Sequence, residues 1–278
     1  MYLVELNDLT PRVVVARDRE FFNVNAAGVA LEKFIVVVDS FLFPIHSRQL
    51  REYVETKFNL PIKYVFLTHS DGDHVFGVDS FNGADIIASQ YFGPKVKEFL
   101  LGKWSKKEFD AWKESEPEHA DVIDEIIIHT PTIEFEKECF ISDGSSKLEL
   151  YHSGGHTSCS SWAYFPKDKV VFTGDDLASY DWPYISDFTG NPDNWISTFE
   201  HIMALDVDFI VPGHGVVVDK SHLKEHLDFI VTLRSLVKDA ISEGKGKDNL
   251  DLPEFYPPAA EWQLERAFTH LFAFYSGR

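Results

Sequence analysis

The sequence predicts an α/β protein that forms one domain over residues 1–278. Short runs of β-branched and aromatic residues recur along the chain, and stretches with apolar residues at helical spacing separate several of them. With 278 residues, 44% of them hydrophobic, the chain is long and apolar enough to bury a large core. These observations favour a folded α/β architecture over a disordered chain.

The strands are predicted from eight apolar runs. Several of them lack the alternation of a half-exposed strand, so they suit burial on both faces. The runs lie at residues 12–16, 34–40, 64–68, 85–89, 148–152, 162–165, 170–174 and 208–213.

Helices are predicted between some of these runs from apolar spacing and end signals. One helix has its apolar face over residues 50–58 and ends before Pro61. Another covers residues 192–205, with Asn191 as its N-terminal cap. Two more are expected, one beginning after Asp219 or Ser221 and one over about 261–275.

The segment at about 91–126 differs from its surroundings because it is rich in charged and aromatic residues and has a helical pattern. We interpret it as a helical insertion that covers a site or forms a contact in a homodimer. A solvated peripheral hairpin is an equally good interpretation of the pattern.

The formal net charge of −19 counts against nucleic acid and anionic membranes as partners. Two cysteines, Cys139 and Cys159, indicate no disulfide framework. Neither a signal-peptide pattern nor an apolar run of membrane-spanning length is present, so a cytoplasmic location is the simplest expectation.

The stretch FLTHSDGDH at residues 66–74 concentrates metal-ligand side chains directly after a predicted strand. Gly72 permits the tight turn that lets them converge. Imidazole and carboxylate together suit Zn²⁺, Fe, Mn or Co rather than Ca²⁺ or Mg²⁺. The four side chains are His69, Asp71, Asp73 and His74.

Three later segments repeat the same arrangement of strand, Gly-containing turn and ligand. They are HSGGHTS with His156, VVFTGDD with Asp175 and FIVPGHG with His214. Turns at strand ends are rigidly supported positions for a site. Four such segments together predict one metal centre much more strongly than any one of them.

These segments give the chain a resemblance to the metallo-β-lactamase superfamily, from its N-terminal strands through VVVDS at 36–40 to VPGHG at 211–215. The family signature is H-x-H-x-D-H, followed by a His, a bridging Asp and a final His. The resemblance implies an αββα four-layer sandwich, in which helices flank two mixed β-sheets. It also implies a shallow site at one edge of the sandwich that holds one or two metal ions. The matching residues are His69, Asp71, Asp73, His74, His156, Asp175 and His214.

Asp71 departs from the family pattern, which usually has a histidine there, although flavodiiron proteins of the same superfamily carry a glutamate. The resemblance then assigns two divalent ions, most simply Zn²⁺, with Fe or Mn as alternatives. Metal one takes His69, Asp71 and His156; metal two takes Asp73, His74 and His214; Asp175 bridges them.

The aspartate at 71 changes the expected charge of the centre. Three aspartates and a bridging hydroxide balance two divalent ions, whereas a histidine at 71 would leave one net positive charge. We therefore expect metal one to favour Fe or Mn more than usual and the site to attract anionic substrates less.

Other candidate residues receive structural interpretations. Cys159 is expected to be a small buried residue rather than a catalytic thiol. Asp176 is expected to be a helix cap, with the orientation of a ligand His ring as the alternative. His152, the histidine nearest the cluster, is expected to be a structural or surface residue, with the support of a ligand as the alternative. The remaining histidines are expected to be structural or surface residues: His46, His119, His129, His201, His222, His226 and His270.

The chemistry implied is hydrolysis of a small ester, lactone, thioester or phosphoester by a metal-bound hydroxide. Asp73 is the candidate proton acceptor. The aromatic segment at 177–195 is expected either to wall the pocket or to pack beneath a loop. In the first case Tyr180 or Tyr184 would hydrogen-bond the developing oxyanion.

Two alternatives remain open. The carboxylate at 71 is compatible with a diiron centre that reduces O₂ or NO and needs a separate electron donor. A metal-binding protein without turnover is the other. Within hydrolysis, the reduced site charge slightly favours a neutral small-molecule substrate.

Overall fold

The computed structural model describes residues 2–185, 187–247, 250, 252, 254–255 and 259–277, and its first β-sheet is built entirely from the N-terminal half of the chain. Neighbouring strands of this sheet are antiparallel from β1 to β4 and parallel from β4 to β7. The seven strands lie side by side in chain order: β1 (Val4–Thr10), β2 (Val13–Asp18), β3 (Asn25–Ala30), β4 (Ile35–Val38), β5 (Ile62–Phe66), β6 (Asp85–Ser89) and β7 (Ile133–Phe135).

The second sheet has the order β12-β11-β10-β9-β8 and is also mixed. Only the β11–β12 pair is parallel, and the other pairs are antiparallel. Its strands are β8 (Glu138–Ser142), β9 (Lys147–His152), β10 (Ser161–Phe165), β11 (Val170–Phe172) and β12 (Phe209–Val211).

The helices connect or follow these strands. They are α1 (Pro44–Phe58), α2 (Gly72–Val75), α3 (Phe92–Leu101), α4 (Lys106–Ser115), α5 (Ala120–Asp124), α6 (Pro192–Ala204), α7 (Lys220–Ser242) and α8 (Glu261–Ser276), with 3₁₀ turns at Val78–Phe81, Pro117–His119 and Gly174–Asp176. Two have side-chain caps, of which the first is the predicted one and the second fixes the predicted start after Asp219. The Asn191 side chain accepts from the backbone N–H groups at the start of α6, and that of Asp219 does the same for α7.

Alternate residues of β2 enter two different cores. Val13 and Val15 belong to the core between the sheets, whereas Val14 and Ala16 belong to the core between the first sheet and its helices. A third core packs the second sheet against α6, α7 and α8. Three cores between four layers confirm the predicted αββα sandwich and explain why the strand runs are apolar throughout.

Each of the eight predicted runs contains a strand, although the bounds differ by a few residues. The predicted helix at 50–58 begins earlier, at Pro44, because a proline suits the first turn of a helix. The strands β1, β3, β7 and β8 were missed, since β1 and β8 are interrupted by polar residues and β7 is three residues long.

Strand β3 was missed for a different reason. Its sequence, NAAGVA, has only one residue with high strand propensity, Val29, among residues depleted in strands. A Cβ on Gly28 would lie 2.6 Å from Cγ1 of Val54, so helix α1 approaches this strand too closely for a side chain. The packing of α1, rather than local propensity, fixes β3.

The segment at 91–126 contains α3, α4 and α5. Phe92, Val96 and Trp104 are buried in the outer core of the first sheet, while α4 has no buried residue. The segment is thus anchored by α3, by Trp104 and by the buried Val122 and Ile123 of α5; its role as an insertion within a single domain stays a prediction. Among the described residues, no helix has the length and apolar character needed to cross a membrane.

Candidate metal centre

The predicted ligands come together where strands of both sheets end. His69 follows β5, Asp175 follows β11 and His214 follows β12, while His156 lies in the turn between β9 and β10. Backbone hydrogen bonds join these turns, since the Gly213 N–H donates to the Gly174 carbonyl and its own carbonyl accepts from the Asn25 N–H, each at 2.8 Å. The site therefore rests on rigid backbone.

The seven residues form two adjoining groups. Within each group the nearest nitrogen and oxygen ligand atoms all lie within 4.8 Å of one another. One group is His69, Asp71, His156 and Asp175, and the other is Asp73, His74 and His214. This division matches the predicted assignment of ligands to metal one and metal two, while metal binding itself stays a prediction.

All four histidines use their rings in the same way. In each ring Nδ1 has a fixed hydrogen-bond partner outside the centre, so Nε2 is left facing the other ligands. The Nδ1 partners are Thr68 Oγ1 for His69 at 3.0 Å, Asp39 Oδ2 for His74 at 3.1 Å, the Tyr184 carbonyl for His156 at 3.1 Å and the Phe22 carbonyl for His214 at 2.8 Å.

Several inward-facing atoms are buried without a hydrogen-bond partner among the described residues. They include Nε2 of His69, Nε2 of His156 and Oδ1 of Asp175, which lies close to Nε2 of His74 but outside hydrogen-bond geometry. Buried polar atoms are normally hydrogen-bonded, and leaving one unpaired costs about 1–3 kcal/mol. Unpaired ring nitrogens and carboxylate oxygens aimed at a common point suit bound divalent cations, so the donor set fits the metal ions that the resemblance implies.

Asp175 lies between the two groups. Its Oδ1 is 3.0 Å from Nε2 of His74, and its Oδ2 is 3.1 Å from Nε2 of His214 and 3.4 Å from Nε2 of His69. Oδ2 thus faces histidines of both groups and Oδ1 faces His74, which places this carboxylate where it could bridge two ions.

Asp71 presents its two oxygens to different neighbours. Oδ2 is 3.6 Å from Nε2 of His156 and 3.7 Å from Nε2 of His69, whereas Oδ1 faces Nζ of Lys103 at 3.4 Å. The aspartate therefore occupies the place of a ligand of the first group. Although Asp71 directly precedes α2, its side chain makes no capping hydrogen bond to that helix.

Opposite charges set the pKa values of the centre. Burial alone would lower the pKa of His74 and His214, but Asp175 and Asp73 outweigh it and raise the pKa of His74 well above 6.5 and that of His214 to about 9. Burial alone would raise the pKa of Asp175, but His214, His74 and His69 hold it well below 3.8. Without bound ions, these charges favour the protonated imidazoles of His74 and His214 beside an ionised Asp175.

Asp39 is a supporting residue that sequence reasoning missed. It is buried after β4 and accepts from the Thr68 N–H at 2.7 Å, the Thr68 hydroxyl at 2.8 Å and Nδ1 of His74 at 3.1 Å. Because the Thr68 hydroxyl in turn accepts from His69, this carboxylate orients one histidine in each group. Its φ of 58° is rare for a residue other than glycine. An Asp directly after a buried strand run was the available signal.

Asp176 has neither of the two roles considered for it. It lies in the 3₁₀ turn and is buried, and its Oδ1 accepts from the backbone N–H of His156 at 3.0 Å. It therefore supports the turn that carries His156 rather than capping a helix or orienting the ring. Burial raises the pKa of its carboxyl group.

The structure places Cys159 and His152 beside the same turn. Cys159 is fully buried and burial raises the pKa of its thiol, which suits a packed side chain rather than a nucleophile. Nε2 of His152 donates to the Ser158 carbonyl at 2.9 Å, so His152 contacts the turn and not the ligands.

A cavity of about 650 Å³ opens onto the two groups. Its walls include Phe22, Trp182, Tyr184 and Trp262 besides ligand side chains. The structure thus brings Tyr184 to the cavity. It does not bring Tyr180 there, because the ring of Tyr180 packs 4.5 Å from that of His222 and is absent from the described walls.

A two-sheet αββα sandwich with two groups of His and Asp ligands at one edge defines a class of metal-binding α/β proteins. The chain belongs to the metallo-beta-lactamase superfamily, whose family model matches residues 19–214. Members of this superfamily typically bind two metal ions, in agreement with the two ligand groups.

Curated relatives are distant. A type 2 metallo-beta-lactamase from Bacillus sp. (strain 170) is 23% identical over 241 residues, which cover 82% of each chain. The 2,4-dinitroanisole O-demethylase subunit alpha from Nocardioides sp. (strain JS1661) is 22% identical over 80% of this chain and 62% of its own length.

Solved structures share the fold. A metallo-beta-lactamase from Pontibacter korlensis superimposes with a TM-score of 0.64 and 17% identity, over 82% of this chain and 99% of its own. A double mutant of the sec-alkyl sulfatase PisA1 superimposes with a TM-score of 0.71 and 15% identity, over 99% of this chain and 50% of its own.

Proposed function

We propose that the protein is a metal-dependent hydrolase that acts on a small ester, lactone, thioester or phosphoester. The observation that carries this proposal is the shared geometry of the four histidines, which all have Nδ1 fixed and Nε2 facing three aspartates at an open cavity. Pre-organised ligands beside an accessible cavity are what metal-assisted attack by water requires.

Two divalent ions held by the two groups would lower the pKa of a water molecule and polarise the bond under attack. The protein's own contribution begins with Asp73, which lies on the cavity wall with Oδ2 3.4 Å from Nε2 of His214. There its carboxylate can accept a proton as water attacks.

Tyr184 is the candidate donor to the developing oxyanion, because it lines the cavity and is part exposed. Its carbonyl also accepts from Nδ1 of His156, so the same residue orients a ligand. Tyr180 keeps no part in this mechanism.

A small-molecule substrate is supported by the size of the cavity and by the charge of the chain. A cavity of about 650 Å³ is in the range of ordinary ligand pockets. The net charge of −19 counts against nucleic acid and anionic membranes. The similar proteins include lactamases, a sulfatase and an O-demethylase by name, so the bond that is cleaved stays part of the proposal.

The test is to purify the protein without added metal, measure its metal content and assay a panel of aryl esters, lactones, thioesters and phosphodiesters. Two ions per chain and turnover of at least one ester class, abolished by a chelator and restored by metal, support the proposal. Two bound ions with no turnover of any class would contradict it.

A diiron redox centre is the second candidate, favoured by the carboxylate of Asp71 in the first group. Two Fe per chain with O₂ uptake from a reduced donor would support it over hydrolysis. The variant Asp71→His separates the two further. It should keep the fold and shift metal preference toward Zn²⁺. Unchanged metal content and activity would show that Asp71 is not a ligand.

A further inference from the structure

Lys103 lies where two cavities meet beside the metal centre. The cavity of about 650 Å³ adjoins a second one of about 350 Å³, whose walls include Phe76, Trp104 and Trp112. Lys103 is on the wall of both. A group bound at its ammonium would therefore be next to the ligands and next to an aromatic surface.

The lysine is held in this position by the turn that follows helix α3. The Gly102 and Trp104 N–H groups both donate to the Phe99 carbonyl, at 3.0 and 2.7 Å. Nζ of Lys103 lies 3.7 Å from the centre of the Phe99 ring, a distance at which a cation is attracted to the ring face. Backbone hydrogen bonds and the Phe99 ring, both within the segment at 91–126, thus hold the lysine charge beside the cavities.

The ammonium group retains hydrogen-bonding capacity. Among the described residues its polar contact is with Oδ1 of Asp71 at 3.4 Å, which is long for an ion pair, and half of its side chain is exposed. An ammonium has three donors, so at least one is available to a molecule in the cavity.

Lys103 is also the only lysine or arginine on the described walls of the two cavities. The carboxylates there outside the ligand groups are Asp181 and Glu108, of which Asp181 accepts from the neighbouring Trp182 N–H and Glu108 lies 3.6 Å from Nζ of Lys107. With two divalent ions, a hydroxide and three aspartates summing to zero, Lys103 gives the centre one net positive charge. It restores the charge that an aspartate in place of a histidine at 71 removes.

We propose that Lys103 is a specificity-determining residue that binds an anionic group of the substrate, such as a carboxylate, sulfate or phosphate, beside the bond to be cleaved. This rests on the proposed hydrolase function and deepens it. It also reverses the preference for a neutral substrate that the sequence alone suggested. The charge expected from the sequence did not include Lys103, because this lysine is 32 positions from Asp71 along the chain.

The first test measures binding without turnover. The probe is phenylphosphonate, with uncharged benzyl alcohol as its matched control, titrated calorimetrically into metal-loaded wild type and Lys103→Met. Loss of a charge-assisted hydrogen bond should weaken phenylphosphonate binding about tenfold and leave benzyl alcohol unchanged. Lys103→Arg should stay within about twofold of wild type, because it keeps the charge.

The control variant is Lys106→Met, which removes an exposed lysine of the same segment that pairs with Asp110. It should bind phenylphosphonate as wild type does. Equal binding by wild type and Lys103→Met would overturn the proposal. So would a reduced metal content of Lys103→Met, because the lysine would then act on metal loading rather than on the anion.

The second test uses turnover of two matched esters, an aryl acetate and the corresponding aryl hemisuccinate. In Lys103→Met the kcat/KM for the anionic ester, taken relative to that for the acetate, should fall about tenfold, and the fall should lie in KM rather than in kcat. If the wild type cleaves neither ester, the hydrolase proposal loses this support, and the phenylphosphonate titration still decides the role of Lys103.

Discussion

Two sets of histidines are equally buried in this protein but differ in every other respect. His69, His74 and His156 of the metal centre and His46 and His226 of the cores are each at most 1% exposed. In the first set each Nδ1 is hydrogen-bonded and each Nε2 faces carboxylates. In the second set neither ring nitrogen has a partner among the described residues.

The surroundings of the second set are aromatic. The ring of His46 lies within 6.1 Å of the rings of Phe21, Phe41 and Phe43, and that of His226 lies 5.2 Å from Phe255. Burial lowers the pKa of both, that of His226 to about 3.

The comparison teaches that burial does not identify a ligand histidine. What separates the sets is a fixed acceptor at Nδ1 together with carboxylates at Nε2, which raises the pKa of His74 and His156 and holds the rings in one orientation. The core histidines fill positions in an apolar core, and burial there disfavours the protonated imidazole.

The largest effect is expected for Asp175→Asn, because this carboxylate faces histidines of both groups. Loss of a supporting residue outside the ligand shell typically costs 10–100-fold in metal affinity, so loss of a shared ligand should cost more than about 100-fold. Metal content after dialysis measures this. Retention of two ions per chain would show that Asp175 does not bridge.

Asp39→Asn comes next, since an amide cannot accept from His74 and Thr68 as the carboxylate does. We expect metal affinity to fall about 10–100-fold, measured by competition with a chromophoric chelator. The matched control is Asp79→Asn. Asp79 is not one of the candidate ligands, and its Oδ1 accepts a hydrogen bond from Nε2 of His129 at 2.8 Å. An equal fall in both variants would mean that the effect is not specific to ligand orientation.

Raising the pH should destabilise the chelated protein by about 3 kcal/mol. The pKa of His214 rises from 6.5 in the unfolded chain to about 9 in the folded one. Its contribution is therefore fully present below pH 6.5 and is lost as the pH rises through 9, at about 1.4 kcal/mol for each pKa unit. Urea unfolding at pH 6.5 and 9.5 measures it.

The metal-loaded protein provides the comparison for that experiment. A bound ion replaces the proton on Nε2, so the loaded protein should not lose stability over this pH range. A parallel loss in the chelated and loaded proteins would show that the site histidines do not carry protons without metal.

His226→Phe should act at the opposite end of the pH scale. The pKa of His226 is about 3 in the folded state and 6.5 unfolded, so its contribution is present above pH 6.5 and is lost as the pH falls toward 3. By pH 5 this amounts to about 2 kcal/mol. The variant should therefore lose about 2 kcal/mol less than wild type between pH 7 and 5 in urea unfolding.

The exposed His201 supplies the control for this variant. Replacement of His201 by phenylalanine should leave the acid dependence as it is in wild type. If His226→Phe and wild type unfold with the same pH dependence, the core histidine does not differ from an exposed one.

The ligand residues were predictable because each follows an apolar run in a turn, which is local information. Asp39 was not, since its role depends on β4 lying parallel to β5, with Val38 paired to Phe66. Only that pairing brings an aspartate at 39 beside the threonine at 68. An aspartate at the end of an apolar run is visible in the sequence, but its pairing with Thr68 and His74 is not.

The walls of the cavity were harder to predict than its ligands. Tyr180 was expected near the centre because of its place in the chain. It lies instead in a turn, with a φ of 57°, and its ring packs on the ring of His222. Trp262 reaches the cavity from the terminal helix, far away in sequence. Such contacts depend on how layers pack, which residue patterns alone do not encode.

Three of the stretches that line the cavity supply none of the seven candidate ligands and lie far from them in sequence or on another element: the turn with Phe22 and Asn23, the turn with Lys103, and the start of α8 with Trp262 and Gln263. Substitutions of side chains in these stretches would alter which molecules fit the cavity and would leave the seven candidate ligands unchanged. A gene built this way can diverge after duplication at the cavity wall while every copy keeps the seven candidate ligands.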